Sequence, residues 1–168
     1  MKSLALNLLL LVFTGAILLS CAGDDDGIYF GETNDLTVSA KVSYSDMEST
    51  ILTLVNEHRK SLNLTELSPL NIISSVASTH TDYMIDVGEL SHDNFPQRAQ
   101  NLIENAAAKS VGENVAYGFG TAQGVVNGWL NSEEHKKIIE NPDFTHFGIS
   151  TESNSEGRNY FTQIFIDK

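Results

Sequence analysis

The spacing of the apolar residues changes once along this chain, and that change limits the folds open to it. Met47, Ile51, Leu54, Val55, His58 and Leu62 recur three and four apart, as one face of a helix requires. Ser45 followed by Glu48 makes the capping-box pattern at its start. A second helix is expected to open at Ser68-Pro69, with serine as N-cap and proline in the first helical position. Its inward face is Leu70, Ile73, Ala77, His80 and Met84, and Gly88 is a natural stop. After a loop over 91–96, a third helix is expected over 97–108, with Ala99, Leu102, Ile103 and Ala106 inward. From Val111 the pattern turns to short strands at 111–116, 147–152 and 158–167. Between the first two strands, Thr121 heads a fourth helix carrying Val125, Val126, Trp129 and Leu130. Ser132 then caps one further turn, with Glu133 and Glu134 at its positive end. Helices first, then a helix among three strands, give an α+β domain with a small antiparallel sheet between helical layers.

The 168 residues suffice for one ordinary domain and are too few for two well-packed ones. Residues 1–20 read as a signal peptide, because Lys2 precedes an apolar run, 4–19, too short for a comfortable membrane span. The run ends in Leu18-Leu19-Ser20-Cys21, which resembles the bacterial lipobox. On that reading the chain is cut before Cys21, Cys21 is lipidated, and the protein sits in the cell envelope on the outer membrane. The alternative is a plain secretory signal and a secreted protein. Cys21 is the single cysteine, so the domain cannot form an internal disulfide and must stand on its core. Residues 21–44 read as the lipidated cysteine and an acidic tether, and 45–168 as the domain. Asp24-Asp25-Asp26 is either a solvated spacer or a surface-export signal of the kind some diderm bacteria use. Val38, Ala40, Val42 and Tyr44 alternate with polar residues, as a short strand would.

Without residues 1–20 the chain carries 9 basic against 22 acidic residues. That balance argues against nucleic acid and against electrostatic docking on anionic lipid. The membrane is therefore expected to be reached through Cys21 only, and a monomer is expected.

Three motifs in the second half carry the chemistry. They are Ser91-His92-Asp93, Gly112-Glu113-Asn114 and Trp129-Leu130-Asn131-Ser132-Glu133-Glu134-His135. Histidine and glutamate bind divalent metals and move protons near neutral pH. Val55-Asn56-Glu57-His58-Arg59, Ala77-Ser78-Thr79-His80, Arg98, the segment 144–149 and Thr162-Gln163-Ile164-Phe165 accompany them. Together these residues resemble the CAP superfamily of cysteine-rich secretory, antigen 5 and pathogenesis-related 1 proteins, in its bacterial, cysteine-poor branch. The resemblance covers roughly 50–166 and implies an α-β-α sandwich with a central antiparallel sheet and an open cleft.

In many members that cleft holds two histidines and two acidic residues. His92, Glu113 and His135 match three of these positions, and the fourth, often glutamate, is Ser132 here. Whether Glu133 or Glu134 replaces the missing carboxylate is left open by the sequence. Zinc seen at the paired histidines of family members implies that His92 and His135 hold Zn²⁺ weakly, with Glu113 nearby. Two imidazoles with water completing the shell make a sparse site. The alternative is a hydrogen-bonded network that braces the loops.

His80, on an apolar face, reads as a satisfied core histidine, His58 as partly exposed, and His146 as a surface residue. Trp129 reads as core, and Asn56 and Arg59 as holding backbone and loops. The zinc-protease His-Glu-x-x-His, the phosphate loop and the nucleophile elbow are all absent. The leading functional reading is an envelope-anchored module binding a small ligand, a lipid or an extracellular protein. The alternative is a zinc-assisted hydrolase with His92, His135 and Glu113 as candidate catalytic residues. A structural envelope protein is the third reading.

Overall fold

The computed structural model describes residues 43–168. The lipobox, Cys21, the acidic spacer and the alternating Val38, Ala40 and Val42 lie outside the described residues.

Helix α1 (Asp46–Ser61) starts at the expected capping box: Ser45 Oγ accepts from the Glu48 amide, and Glu48 accepts from the Ser45 amide. Its inward face is Ile51, Leu52, Val55 and Arg59, whereas Leu62 is exposed. Ser68-Pro69 does not open a helix. It forms a two-residue strand, β1 (Ser68–Pro69), parallel to β3 (His146–Ser153). The Ser68 and Leu70 amides donate to the Thr145 and Phe147 carbonyls, so pairing with a distant strand overrides the local N-cap signal. Helix α2 (Asn71–Val87) begins after that strand and ends at Gly88, φ +73°. Its buried face contains Ile73, Ala77, His80 and Met84.

Helix α3 (Phe95–Ala106) starts two residues earlier than expected, since proline is tolerated in a first turn where amides lack helical partners. Leu102 and Ala106 face inward, but Ile103 is exposed. The remaining elements are β2 (Ser110–Tyr117), α4 (Ala122–Leu130), α5 (Glu133–Ile139), β3 and β4 (Asn159–Asp167). Thr121 caps α4 as expected, accepting from the Gly124 amide at 3.1 Å.

The sheet order is β1-β3-β4-β2, antiparallel except for β1. Alternation along β4 divides the core. Phe161 and Phe165 join Val55, Val126, Trp129 and Ile139 from α1, α4 and α5. Ile164 and Ile166 pack with Ile73, Ala77, Leu102 and Ala106 from α2 and α3. Three layers result, α-β-α, as the resemblance implied. Gly148 sets how closely α2 approaches: a Cβ there would lie 2.4 Å from the Ser74 amide nitrogen. Both sides of the sheet are thus tightly covered, and β2 is left at an edge with helices from both layers beside it.

Candidate functional site

Strand β2 organises the site, because neighbouring residues on a strand point to opposite faces. Val111 packs with the α2–α3 core, and Glu113, two residues on, shares that face. Asn114 turns to the other face, where it bonds to α5.

On the first face, Glu113 is held from three directions. Its side chain is 1% exposed. Oε1 accepts from Arg98 Nη2 at 2.7 Å and from His92 Nδ1 at 2.9 Å, and Oε2 accepts from Arg98 Nε at 2.8 Å. Arg98 comes from the first turns of α3, and its Nη1 also donates to the Asp93 carbonyl, fixing the loop that carries His92. From α2, His80 donates through Nε2 to the Ser91 carbonyl at 2.8 Å, with the same nitrogen 3.9 Å from Glu113 Oε1. His80 is thus the satisfied core histidine the sequence suggests, and it also lines the carboxylate. Tyr83 stacks on His80 and donates to the Asp93 carboxylate at 2.9 Å.

Burial alone would raise the Glu113 pKa. Hydrogen bonds from His92 and Arg98, with the positive charge of Arg98, outweigh it and hold the carboxyl below 4.5. A carboxylate with three donors and a depressed pKa is a poor proton acceptor. Burial lowers the His80 pKa and wins over its bond to Ser91, so the ring is neutral at pH 7.

On the second face the arrangement is lighter. Asn114 is fully buried and donates through Nδ2 to the His135 carbonyl at 3.2 Å. Ser132 stands at the N-cap position of α5 but makes no side-chain cap bond. Its hydroxyl is instead 2.8 Å from His135 Nδ1, so the expected cap is replaced by a contact to the imidazole three residues on. Glu133 and Glu134 are exposed, and Glu134 pairs with Lys137 at 3.0 Å. Burial and the nearby charge of His92 lower the His135 pKa, outweighing Glu134.

The rings are presented alike. Each uses Nδ1 internally, on Glu113 or Ser132, and among the described residues neither Nε2 has a protein hydrogen-bond partner. A histidine whose Nδ1–H is held by a carboxylate offers a lone pair at Nε2, the usual arrangement of a metal-bound imidazole. Among the described residues, no group of three or more His, Cys, Asp or Glu side chains is placed to hold a metal.

The other singled-out residues lie away from this edge. His58 pairs with Glu140 at 2.8 Å, and His146 bonds to Thr145 at the start of β3. Trp129 is core, its Nε1 donating to the Val115 carbonyl at 3.1 Å. Asn56 holds both the amide and the carbonyl of Leu67. Arg59 is wholly buried and donates to the carbonyls of Thr65, Ile139, Asn141 and Phe144. Both fix backbone, as expected. The residue that sequence reasoning left without a role is Arg98. A signal existed, because a buried carboxylate needs a cation, and the chain has only three arginines. A separate groove of about 260 Å³ lies beside α1, lined in part by Leu52, Glu57, Lys60, Pro69 and Phe147.

The α-β-α layering is that of a CAP domain. The model of the cysteine-rich secretory protein family (CAP) matches residues 52–165, and the chain belongs to that family. It is 33% identical over 140 residues to the uncharacterized protein YkwD of Bacillus subtilis, covering 82% of this chain but only 53% of that protein. Among solved structures it is similar to an outer surface protein of Borrelia burgdorferi, with a TM-score of 0.65 and 25% identity, over 71% of this chain and 91% of that one. It is also similar to an extracellular protein of Bacillus anthracis containing an SCP domain, with a TM-score of 0.63 and 29% identity, over 72% of this chain and 40% of that one.

Proposed function

We propose that this CAP-domain protein is an extracellular module that binds a ligand or partner, anchored to the cell envelope through Cys21, and not a hydrolase. The observation that carries the reading is the state of Glu113. A hydrolytic role needs a carboxylate free to take a proton from an activated water. Here both oxygens already accept from Arg98 and His92, and the pKa is held down. The extracellular placement draws support from the structural neighbours, an outer surface protein and an extracellular protein. No helix among the described residues is long and apolar enough to cross a membrane. Attachment through a lipid at Cys21 is consistent with that, on the outer membrane and facing outward. Labelling of growing cells with a fatty-acid analogue tests it: wild type takes up label and Cys21→Ala does not.

In the same reading, His92 and His135 take a divalent cation such as Zn²⁺ weakly through their Nε2 atoms, the remaining positions going to water or to the ligand itself. A bound cation would supply an electrophilic point for a partner's carboxylate or carbonyl. Glu113 orients His92, and Ser132 orients His135. Titration calorimetry with Zn²⁺ is expected to show weak binding that is lost in the double variant His92→Ala, His135→Ala. Zinc-dependent peptide hydrolysis that vanishes in a folded Glu113→Gln variant would overturn the non-hydrolytic reading.

A further inference from the structure

Strand alternation places a pair of buried carboxamides on the α1–α4–α5 side of the sheet. Asn114 on β2 and Gln163 on β4 are direct cross-strand partners, so their side chains share that face. Both residues are fully buried. Asn114 Oδ1 and both carboxamide atoms of Gln163 have no hydrogen-bond partner among the described residues. Rotating the Gln163 amide by half a turn does not help, because its oxygen and its nitrogen are both unpartnered. Buried polar atoms in folded proteins are nearly always paired, and when protein groups do not pair them an ordered water does.

We propose that a buried water sits between β2 and β4 and bridges Asn114 Oδ1 to the carboxamide of Gln163. It donates one hydrogen to Asn114 Oδ1 and accepts one from Gln163 Nε2. The geometry favours water over a larger guest, since buried Phe161 and Phe165 flank Gln163 on the same face of β4 and buried Ile149 is its partner on β3. A single water needs room for about one probe sphere, ~10–15 Å³, and two to four polar partners.

The water has a consequence for the site edge. Asn114 Nδ2 holds the carbonyl of His135. The Nδ2 bond already sets the amide orientation, because the flipped amide would turn its oxygen on the His135 carbonyl. A water donating to Oδ1 reinforces that orientation, with the nitrogen toward α5. Gln163, which touches neither histidine, thus acts as a positioning residue for His135 through the water and Asn114.

The test is a high-resolution crystal structure of the protein with water magnetic relaxation dispersion in solution, on wild type and Gln163→Met. Methionine keeps the side-chain length and removes both hydrogen-bonding ends. The expected result is one ordered water within hydrogen-bond distance of Asn114 and Gln163 in wild type. Gln163→Met should lack it, show one long-lived water fewer and melt at a lower temperature. The Asn114 bond to His135 should also lengthen or break in the variant. A wild-type map with no water there, or with the two carboxamides bonded directly, overturns the proposal. So does a Gln163→Met variant that melts higher, because that is the behaviour of a dry, unpaired amide replaced by an apolar group. Should the variant fail to fold, the wild-type map decides alone.

Discussion

The two histidines of this site sit on either side of one strand and are held by different physics. His92 is held by charge: a buried carboxylate, itself clamped by Arg98, accepts its Nδ1–H. His135 is held by neutral groups, a serine hydroxyl at Nδ1 and an asparagine amide at its own carbonyl. Adjacent residues of one tripeptide thus reach both histidines, Glu113 at the His92 ring and Asn114 at the His135 backbone carbonyl. The first half is rigid and costly to disturb. The second is lightly held, and its orienting partner, Ser132, can either donate or accept.

The largest effect is expected from Arg98→Ala. Removing the guanidinium leaves the Glu113 carboxylate buried with only His92 and the nearby His80. Breaking a buried ion pair by deleting one partner costs about 3–5 kcal/mol, and chemical denaturation should show it. Arg98→Lys should recover only part, because an ammonium cannot make the two parallel bonds seen here. Asn114→Leu disturbs the other half. It leaves the His135 carbonyl without its donor and should cost about 1–3 kcal/mol. In ring NMR spectra the His135 signals should move and those of His92 should stay. Equal movement of both would mean the two halves are coupled more tightly than their partners suggest.

Acid should separate the halves by pH. His80 and His135 have folded pKa values below 6.5, so the unfolded chain binds their protons first. The stability they confer is complete above pH 6.5 and is lost as pH falls through their lower folded values. Glu113 also has a depressed folded pKa, so its contribution is complete above about pH 4.5 and is lost below that. The groups facing it are His80 from α2, His92 from the loop and Arg98 from α3. Wild type should therefore lose stability in two stages on acidification, and Glu113→Gln should lack the lower one. The smallest effect is expected from Ser132→Ala, which removes one half-buried hydroxyl contact and should cost about 1 kcal/mol or less. The informative reversal is Ser132→Glu. A carboxylate beside Nδ1 should raise the His135 pKa, making the second half resemble the first.

Much of this was legible in the chain. The capping box at Ser45, the stop at Gly88 and the cap at Thr121 are local signals, and each reads correctly because its partners lie within four residues. The expectations that failed did so where a distant element competed. Ser68-Pro69 has the local look of a helix start, yet the β3 carbonyls claim the amides of Ser68 and Leu70. Ser132 has the look of a cap, yet the imidazole of His135 takes its hydroxyl. Ile103 fits a helical stripe, but α3 covers the sheet with Leu102 and Ala106 only.

By itself the sequence determined most of the helices, the three longer strands and the family to which they belong. Short-range periodicity and motif spacing carry that information. Only the tertiary structure decided that Glu113 is occupied by Arg98, that His80 lines it, and that Asn114 grips α5 at His135. Those contacts join residues far apart in the chain, and nothing in a local pattern says which buried carboxylate a given arginine will meet. The physical reason is burial: once the three layers close on β2, every polar group on that strand needs a partner. The partners available are those that the packing of α2, α3 and α5 brings to its edge.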